Sequence, residues 1–281
     1  IESITVYGGE DASPAVYGKV YIAVKPAGDT AFSTATKEAI KTTILKKTNV
    51  VTVTPEIIDP IYYYLIVDTT INYDPVTLLT TEDILKSAVD STITNYFSNS
   101  LQKFENKFRY SVLAGLIDDT NSAIRNNKTS IKYQMRVSPA TLAVAATYNL
   151  EFNNTLTKGT LTSTAFTASD GFTYTLADDS VGNVKLARST YSSGTVTVDV
   201  PTTYMTLADG STNLGTINYT TGKVVLNSFT PYTISDGTTN IKITVTPGTN
   251  NQDITPLREQ VITTDLTDTT AINITMVAET I

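Results

Sequence analysis

Hydrophobic and polar positions keep one set of periods over the first half of the chain and another over the second. Val16-Tyr-Gly-Lys-Val-Tyr-Ile-Ala-Val-Lys25 alternates toward its end and stops at Pro26, which predicts a strand. From about Thr34 to Lys47, Ala35, Ala39, Ile40 and Ile44 recur at helical spacing. Lys46 and Lys47 would end that helix and complement its dipole. Val50–Val53 and Ile57–Ile71 are β-branched and aromatic and predict strands. A second helix is expected from about Thr81 to Leu101. Thr80 and Asp83 are spaced almost as a capping box, and Leu85, Ala88, Val89, Ile93, Tyr96, Phe97 and Leu101 form one stripe. Tyr110–Ile117 is apolar but fits either element type, whereas Ser130–Val137 alternates strictly and reads as a strand with one polar face. The order strand, helix, strands, helix, strand fits a split βαβ sandwich of the ferredoxin-like kind.

Past Pro139 helical periodicity disappears and threonine becomes abundant. Asp-Gly occurs at 170–171, 209–210 and 236–237, each a turn signal. Thr216–Leu226 reads as a hairpin turning at Thr221-Gly222, and Asn240–Thr246 and Ala271–Val277 alternate cleanly. The expected fold class is therefore α+β, with an amino-terminal ferredoxin-like domain over residues 1–138 and an all-β domain over residues 139–281.

Composition narrows what such a chain does. Its 281 residues, 41% hydrophobic and 17% charged, are enough for one large or two ordinary cores and argue against a disordered segment. A net charge of -7 disfavours nucleic-acid backbones, which call for clustered lysine and arginine. No apolar run reaches the roughly 20 residues needed to span a bilayer, so no membrane partner is expected. The first residue is Ile1 rather than methionine, and no basic stretch leads into an apolar one, so a fragment without a signal peptide is expected.

Histidine and cysteine are both absent, which removes Ser-His-Asp and Cys-His catalysis and structural zinc through those ligands. The carboxylate pairs Asp118-Asp119 and Asp178-Asp179 invite a glycosidase reading, but that chemistry needs carboxyls about 5–10 Å apart across a cleft. Neighbours in an extended segment point apart, so solvated loop acids are the simpler expectation. Asp209–Asn213 and Asp236–Asn240 offer too few carboxylates for calcium, which takes about six to eight oxygens. They read as turns. Tyr7-Gly8-Gly9 lacks the lysine and hydroxyl residue of a phosphate loop. Neither enzymatic activity nor a cofactor is expected, and no metal site.

Tyrosine is plentiful at 16, and Tyr62, Tyr63 and Tyr64 share one strand, so Tyr63 must face opposite to the other two. Such tyrosines serve either interfaces or ordinary core layers. The apolar segment supplies the candidate interface residues Tyr110, Leu113, Leu116 and Ile117, with core packing as the alternative.

Several stretches in order resemble the wedge subunit of T-even-type phage baseplates, within the wider baseplate J-like group. They are Val6–Pro14 with Tyr17–Pro26, Val50–Pro55 leading into Tyr62–Val67, Gly215–Val225, and Pro256–Ile262. The resemblance is to a carboxy-terminal portion. It implies a virion component of the tail baseplate, assembled in the bacterial cytoplasm, without a reaction of its own. Its partners would be further copies of itself, through dimer contacts within a ring around the tail hub, and other wedge proteins. The family's rearrangement on host contact triggers sheath contraction, and it offers no catalytic residues to carry over. A β-rich adhesin or surface-layer module is the alternative that acidity and threonine richness leave open, though two helices in βαβ order fit it poorly. A carbohydrate-active enzyme would need an acidic cleft.

Overall fold

A computed structural model describes residues 1–12, 15–45, 53–248 and 252–279. It is 41% strand and 16% helix, so β-structure dominates, and the carboxy-terminal region is all-β. The expected helix end at Lys46 and Lys47, the first part of the expected Val50–Val53 strand, and Pro14 lie outside the described residues.

Strands β1 (Ser3–Gly8), β2 (Lys19–Lys25) and β3 (Thr54–Ile58) form a small sheet in that order, β1 antiparallel and β3 parallel to β2. Helix α1 (Thr34–Ile40), which continues in a wider turn through Lys41–Leu45, makes the crossover that a parallel pair requires. Ser33 caps it by accepting the Thr36 amide at 3.2 Å.

After a two-residue connection at Asp59-Pro60, β4 (Ile61–Tyr73) opens a second sheet. Its alternate residues Tyr63, Leu65, Val67 and Ile71 are fully buried. Helix α2 (Glu82–Tyr96) extends through Phe97–Leu101 and lays Val89, Ile93, Phe97 and Leu101 into the same core, with Leu85 also buried. The stripe read from the sequence is thus buried, with Ala88 half-buried at its margin. The cap falls one residue later than expected: Thr81, not Thr80, accepts the Ile84 amide at 3.4 Å, and Glu82 accepts from the Tyr73 hydroxyl at 2.6 Å. Helix α3 (Tyr110–Asp118) follows, settling the ambiguous segment as helix, and leads into β5 (Ile124–Val137), antiparallel to β4.

The remaining strands are β6 (Ala146–Glu151), β7 (Thr162–Ser163), β8 (Phe166–Thr167), β9 (Thr173–Asp178), β10 (Asn183–Ser192) and β11 (Thr195–Val198). They continue as β12 (Gly215–Asn218), β13 (Lys223–Phe229), β14 (Thr233–Ile234), β15 (Ile241–Val245), β16 (Gln260–Thr263) and β17 (Ile272–Ala278). The hairpin expected at Thr221-Gly222 is β12–β13, with Gly222 at φ +72° where a side chain would be strained. One sheet has the order β14-β8-β9-β10-β12-β13-β6, with β11 paired to β10, so all its strands come from residues 146–234.

The other sheet draws on both halves. β15 pairs with β5, and β16 and β17 run parallel to β4 along its other edge, giving the order β16-β4-β5-β15-β7 with β17 beside β4. The expected βαβ order is therefore present, but its strands divide between two sheets and the last strands of the chain complete the second. A single ferredoxin-like sheet over residues 1–138 is not clearly realised. One core unites β4, β5, both long helices and the carboxy-terminal sheets. The first sheet instead meets the body through a separate small cluster of Ala23, Phe104 and Val261, flanked by Ile58 and Tyr62.

Candidate interaction surface

The amino end of α3 carries no side-chain cap of its own, because Arg109 cannot accept a hydrogen bond. Asp253 supplies it from far along the chain: its carboxylate accepts the Tyr110 amide at 2.9 Å and pairs with Arg109 at 3.2 Å. Reciprocal backbone bonds between Phe108 and Ile254, both 3.0 Å, hold the two segments together. Asn154 donates to the Asp253 carbonyl at 3.0 Å and to the Tyr133 hydroxyl at 2.8 Å, which ties this anchor to β5.

That anchorage decides which way α3 turns. Leu113 and Ile117 are wholly buried in the core. The Tyr110 hydroxyl donates to the Thr129 carbonyl at 2.7 Å, and its ring is half-buried. Leu116 is 38% exposed and Val112 46% exposed, and Gly115 beside them has open space where a side chain would stand. Of the four residues singled out from the sequence, Leu113 and Ile117 pack inward, Tyr110 is tied down, and Leu116 faces out. Val112, which the sequence reading passed over, joins it; i, i+4 neighbours share a helix face.

The three consecutive tyrosines divide as strand geometry requires. Tyr63 is buried against Tyr133 and Phe152, with ring centroids 5.3 and 5.9 Å away, and donates to the Phe152 carbonyl at 3.0 Å. Tyr64 lies under the Arg136 guanidinium at 3.8 Å, an arrangement attractive through the ring face. Tyr62 donates to the Thr30 carbonyl at 2.8 Å and so pins the first sheet to the body. Phe104 donates its amide to the Ser3 hydroxyl at 3.2 Å in the same joint, and the Arg258 guanidinium donates to the Asp11 carbonyl. Lys25, 5% exposed, is paired there with Glu2, since a buried ammonium without a counter-charge would be costly.

Three of the four paired acids hold local structure. Asp178 points inward and accepts from the Gly159 and Leu161 amides at 2.6 and 2.9 Å and from the Tyr219 hydroxyl at 2.6 Å. Asp179 closes the next turn. Burial opposes its charge, but hydrogen bonds from the Asn183 side chain and amide, the Val181 amide and Lys185 hold its carboxyl well below the usual range. Asp118 accepts from the Asn127 side chain at 2.8 Å at the exposed end of α3. In each Asp-Gly turn the carboxylate accepts the amide two residues on: Phe172 at 3.0 Å, Ser211 at 2.9 Å and Thr238 at 3.0 Å. Among the described residues no group of three or more acidic, histidine or cysteine side chains is placed to hold a metal ion. A cavity of about 530 Å³ in the carboxy-terminal region is walled by Leu186, Met205, Leu207, Leu214 and Tyr232, with Asp209 its lone acid. It lacks the facing carboxylates a glycosidase needs.

Two family models match, and they meet at the joint just described. Residues 1–58 match baseplate structural protein gp6, C-terminal domain I, which is the first sheet with its crossover. Residues 61–136 match C-terminal domain III of the same protein, which is β4 through β5 with the helices between. Asp59-Pro60 separates them. Among curated proteins, the baseplate wedge protein gp6 of Enterobacteria phage T4 is 24% identical over 154 residues. That alignment takes in 55% of this chain and 23% of the T4 protein, so this chain spans less than a quarter of the relative it matches.

Proposed function

Because this chain belongs with the gp6-type baseplate wedge proteins, as a carboxy-terminal portion, we propose that it forms a continuous ring around the tail hub by pairing with copies of itself. The coarser role, a structural part of a phage tail baseplate, is the premise. The finer one rests chiefly on a single observation: two gp6 domain matches follow each other over residues 1–136 and fall on structural units that meet at Asp59-Pro60.

Other wedge proteins are the further partners, and the ring takes part in the rearrangement that triggers sheath contraction. Assembly takes place in the host cytoplasm, before the particle is released. No reaction of its own is assigned to the chain; Asp178 and Asp179 are occupied in holding local backbone turns. A self-contact of this kind suits a surface with few free charges, since a ring contact must be stiff and self-complementary. Leu116 and Val112 on α3 are one patch offered for it, with Tyr110, Leu113 and Ile117 supporting that helix from beneath.

The division at 138 and 139 belongs to the same reading, with residues 1–138 and 139–281 as its two parts. The pairing of β15, β16 and β17 with β4 and β5 favours a narrower β unit within the second part, ending near residue 240. The test of the functional reading is immunogold labelling of tail particles from the phage that encodes the chain. Label confined to the baseplate, ringed about the hub, is the expected result. Label on distal fibres, or on the cell surface and not on tails, would overturn it.

A further inference from the structure

Strands β10 and β11 leave the main sheet as a two-stranded arm. All four residues of β11 are exposed, and β10 is its sole strand partner among the described residues. A tight turn joins them through Ser193 at φ +49° and Gly194 at φ +82°, the conformation that fits the natural twist of a hairpin. A lone hairpin is marginal in water, and natural sheets guard such edges with lysine, proline or a covering element. Here the edge reads Thr-Val-Thr-Val, with Val196 and Val198 each 37% exposed.

The ladder shows which groups are open. The Asp199 amide donates to the Arg188 carbonyl at 3.0 Å, and Thr197 and Thr195 stand opposite Thr190 and Ser192. Odd-numbered residues of β11 therefore bond to β10, and the amides and carbonyls of Val196 and Val198 face away from it. The nearest charge, Asp199, lies 3.7 Å from Arg188 and is already matched.

We propose that this open edge pairs antiparallel with the same edge of a second copy. The contact rests on the self-association proposed above and names one surface that makes it. Opposite residues in a sheet share a face, so a two-fold axis through the pairing sets residues of equal parity against each other. An axis at Thr197 puts Val196 of one copy opposite Val198 of the other, with their amides and carbonyls bonded reciprocally and no like charges facing. The ladder is short, well below the roughly 800 Å² per partner of a free-standing dimer. It therefore adds to other contacts in a ring rather than holding one alone.

This register makes a sharp test, because the natural chain has no cysteine. Thr197 meets itself at a non-hydrogen-bonded position, where Cα atoms lie about 4.5 Å apart, within disulfide reach. Thr195 would lie about 14 Å from its counterpart, too far to bridge. Under mild oxidation, T197C is expected to form disulfide dimers about tenfold faster than T195C, the difference being set by that reach. Val196→Pro removes an outward amide without touching the bonds to β10, and Val198→Lys adds like charge at the edge; either should bring T197C down to the T195C rate. Equal rates for T197C and T195C in a chain that sediments above the monomer would place self-association elsewhere and overturn this contact alone. A wild-type chain that stays monomeric and a T197C that does not cross-link would remove both this contact and the self-association it rests on.

Discussion

Leu113 and Leu116 stand three residues apart on α3, and one is wholly buried while the other is 38% exposed. The difference follows from how the helix is seated: Asp253 fixes its first turn and Tyr110 its orientation over β5. Truncating a buried leucine removes packing and leaves a cavity, so Leu113→Ala should cost about 2–5 kcal/mol. Leu116→Ala should stay within about 0.5 kcal/mol of the parent, as exposed substitutions usually do. Urea unfolding of the two variants, at concentrations where the chain is monomeric, checks this. Equal losses would show that α3 is buried on both sides. At this scale the sequence was only half legible. Alternation set Tyr63 on the face opposite Tyr62 and Tyr64 without saying which face is buried, and periodicity gathered Leu85, Val89 and Ile93 on the stripe that is buried. Nothing near residue 110 announced which side of a short, almost uniformly apolar helix would turn inward, because that depends on a carboxylate at position 253.

At the level of elements, β12–β13, β15, β17 and α2 were readable because each is long, periodic or bounded by a turn residue that allows little else. The sheet partners were not. β16 and β17 pair with β4 across almost the whole chain, and local alternation carries no information about so distant a neighbour. The same pairing bears on how the chain comes apart. Residues 139–240 hold every strand of the eight-stranded sheet, whereas 139–281 also carries β15, β16 and β17 without β4 and β5. Residues 139–240 expressed alone should therefore give a cooperatively melting β spectrum, and 139–281 should aggregate through unpaired edges. Circular dichroism and light scattering distinguish the outcomes. A soluble, folded 139–281 beside an unfolded 139–240 would refute this placement of the boundary.

For the whole molecule, the absence of histidine leaves no side chain with an ordinary pKa between about pH 5 and 8. Burial works against the charged form of Asp268, but the Lys242 ammonium at 2.5 Å and the Thr270 hydroxyl and amide hold its carboxyl down at about 2. Asp265, half-buried like Asp268, is opposed by its partial burial but lowered by Thr267 and Arg136. Since an unfolded aspartate titrates near 3.9, these groups stabilise the fold above about pH 4 and lose that contribution as pH falls toward about 2. Burial raises the Tyr62 and Tyr174 phenols to about 12, the first helped by Tyr64 and the second by Asp170. Their contribution is full below about pH 10, the unfolded value, and fades as pH rises toward about 12. Stability against urea should be flat from about pH 5 to 9 and fall on both sides. A step between pH 6 and 7 would contradict it.

Self-association through a surface with few free charges is the property a ring subunit of this kind most needs. Exposed ion pairs are screened strongly at high salt, whereas apolar and strand-edge contacts are not. Sedimentation velocity of the chain, from about 1 to 100 µM and at low and high salt, measures this directly against the roughly 10 Å screening length at 0.1 M salt. The expected result is a mean mass that climbs with concentration and hardly changes with salt. A chain that remains monomeric over the whole range, or whose assemblies dissolve as salt is added, would contradict it.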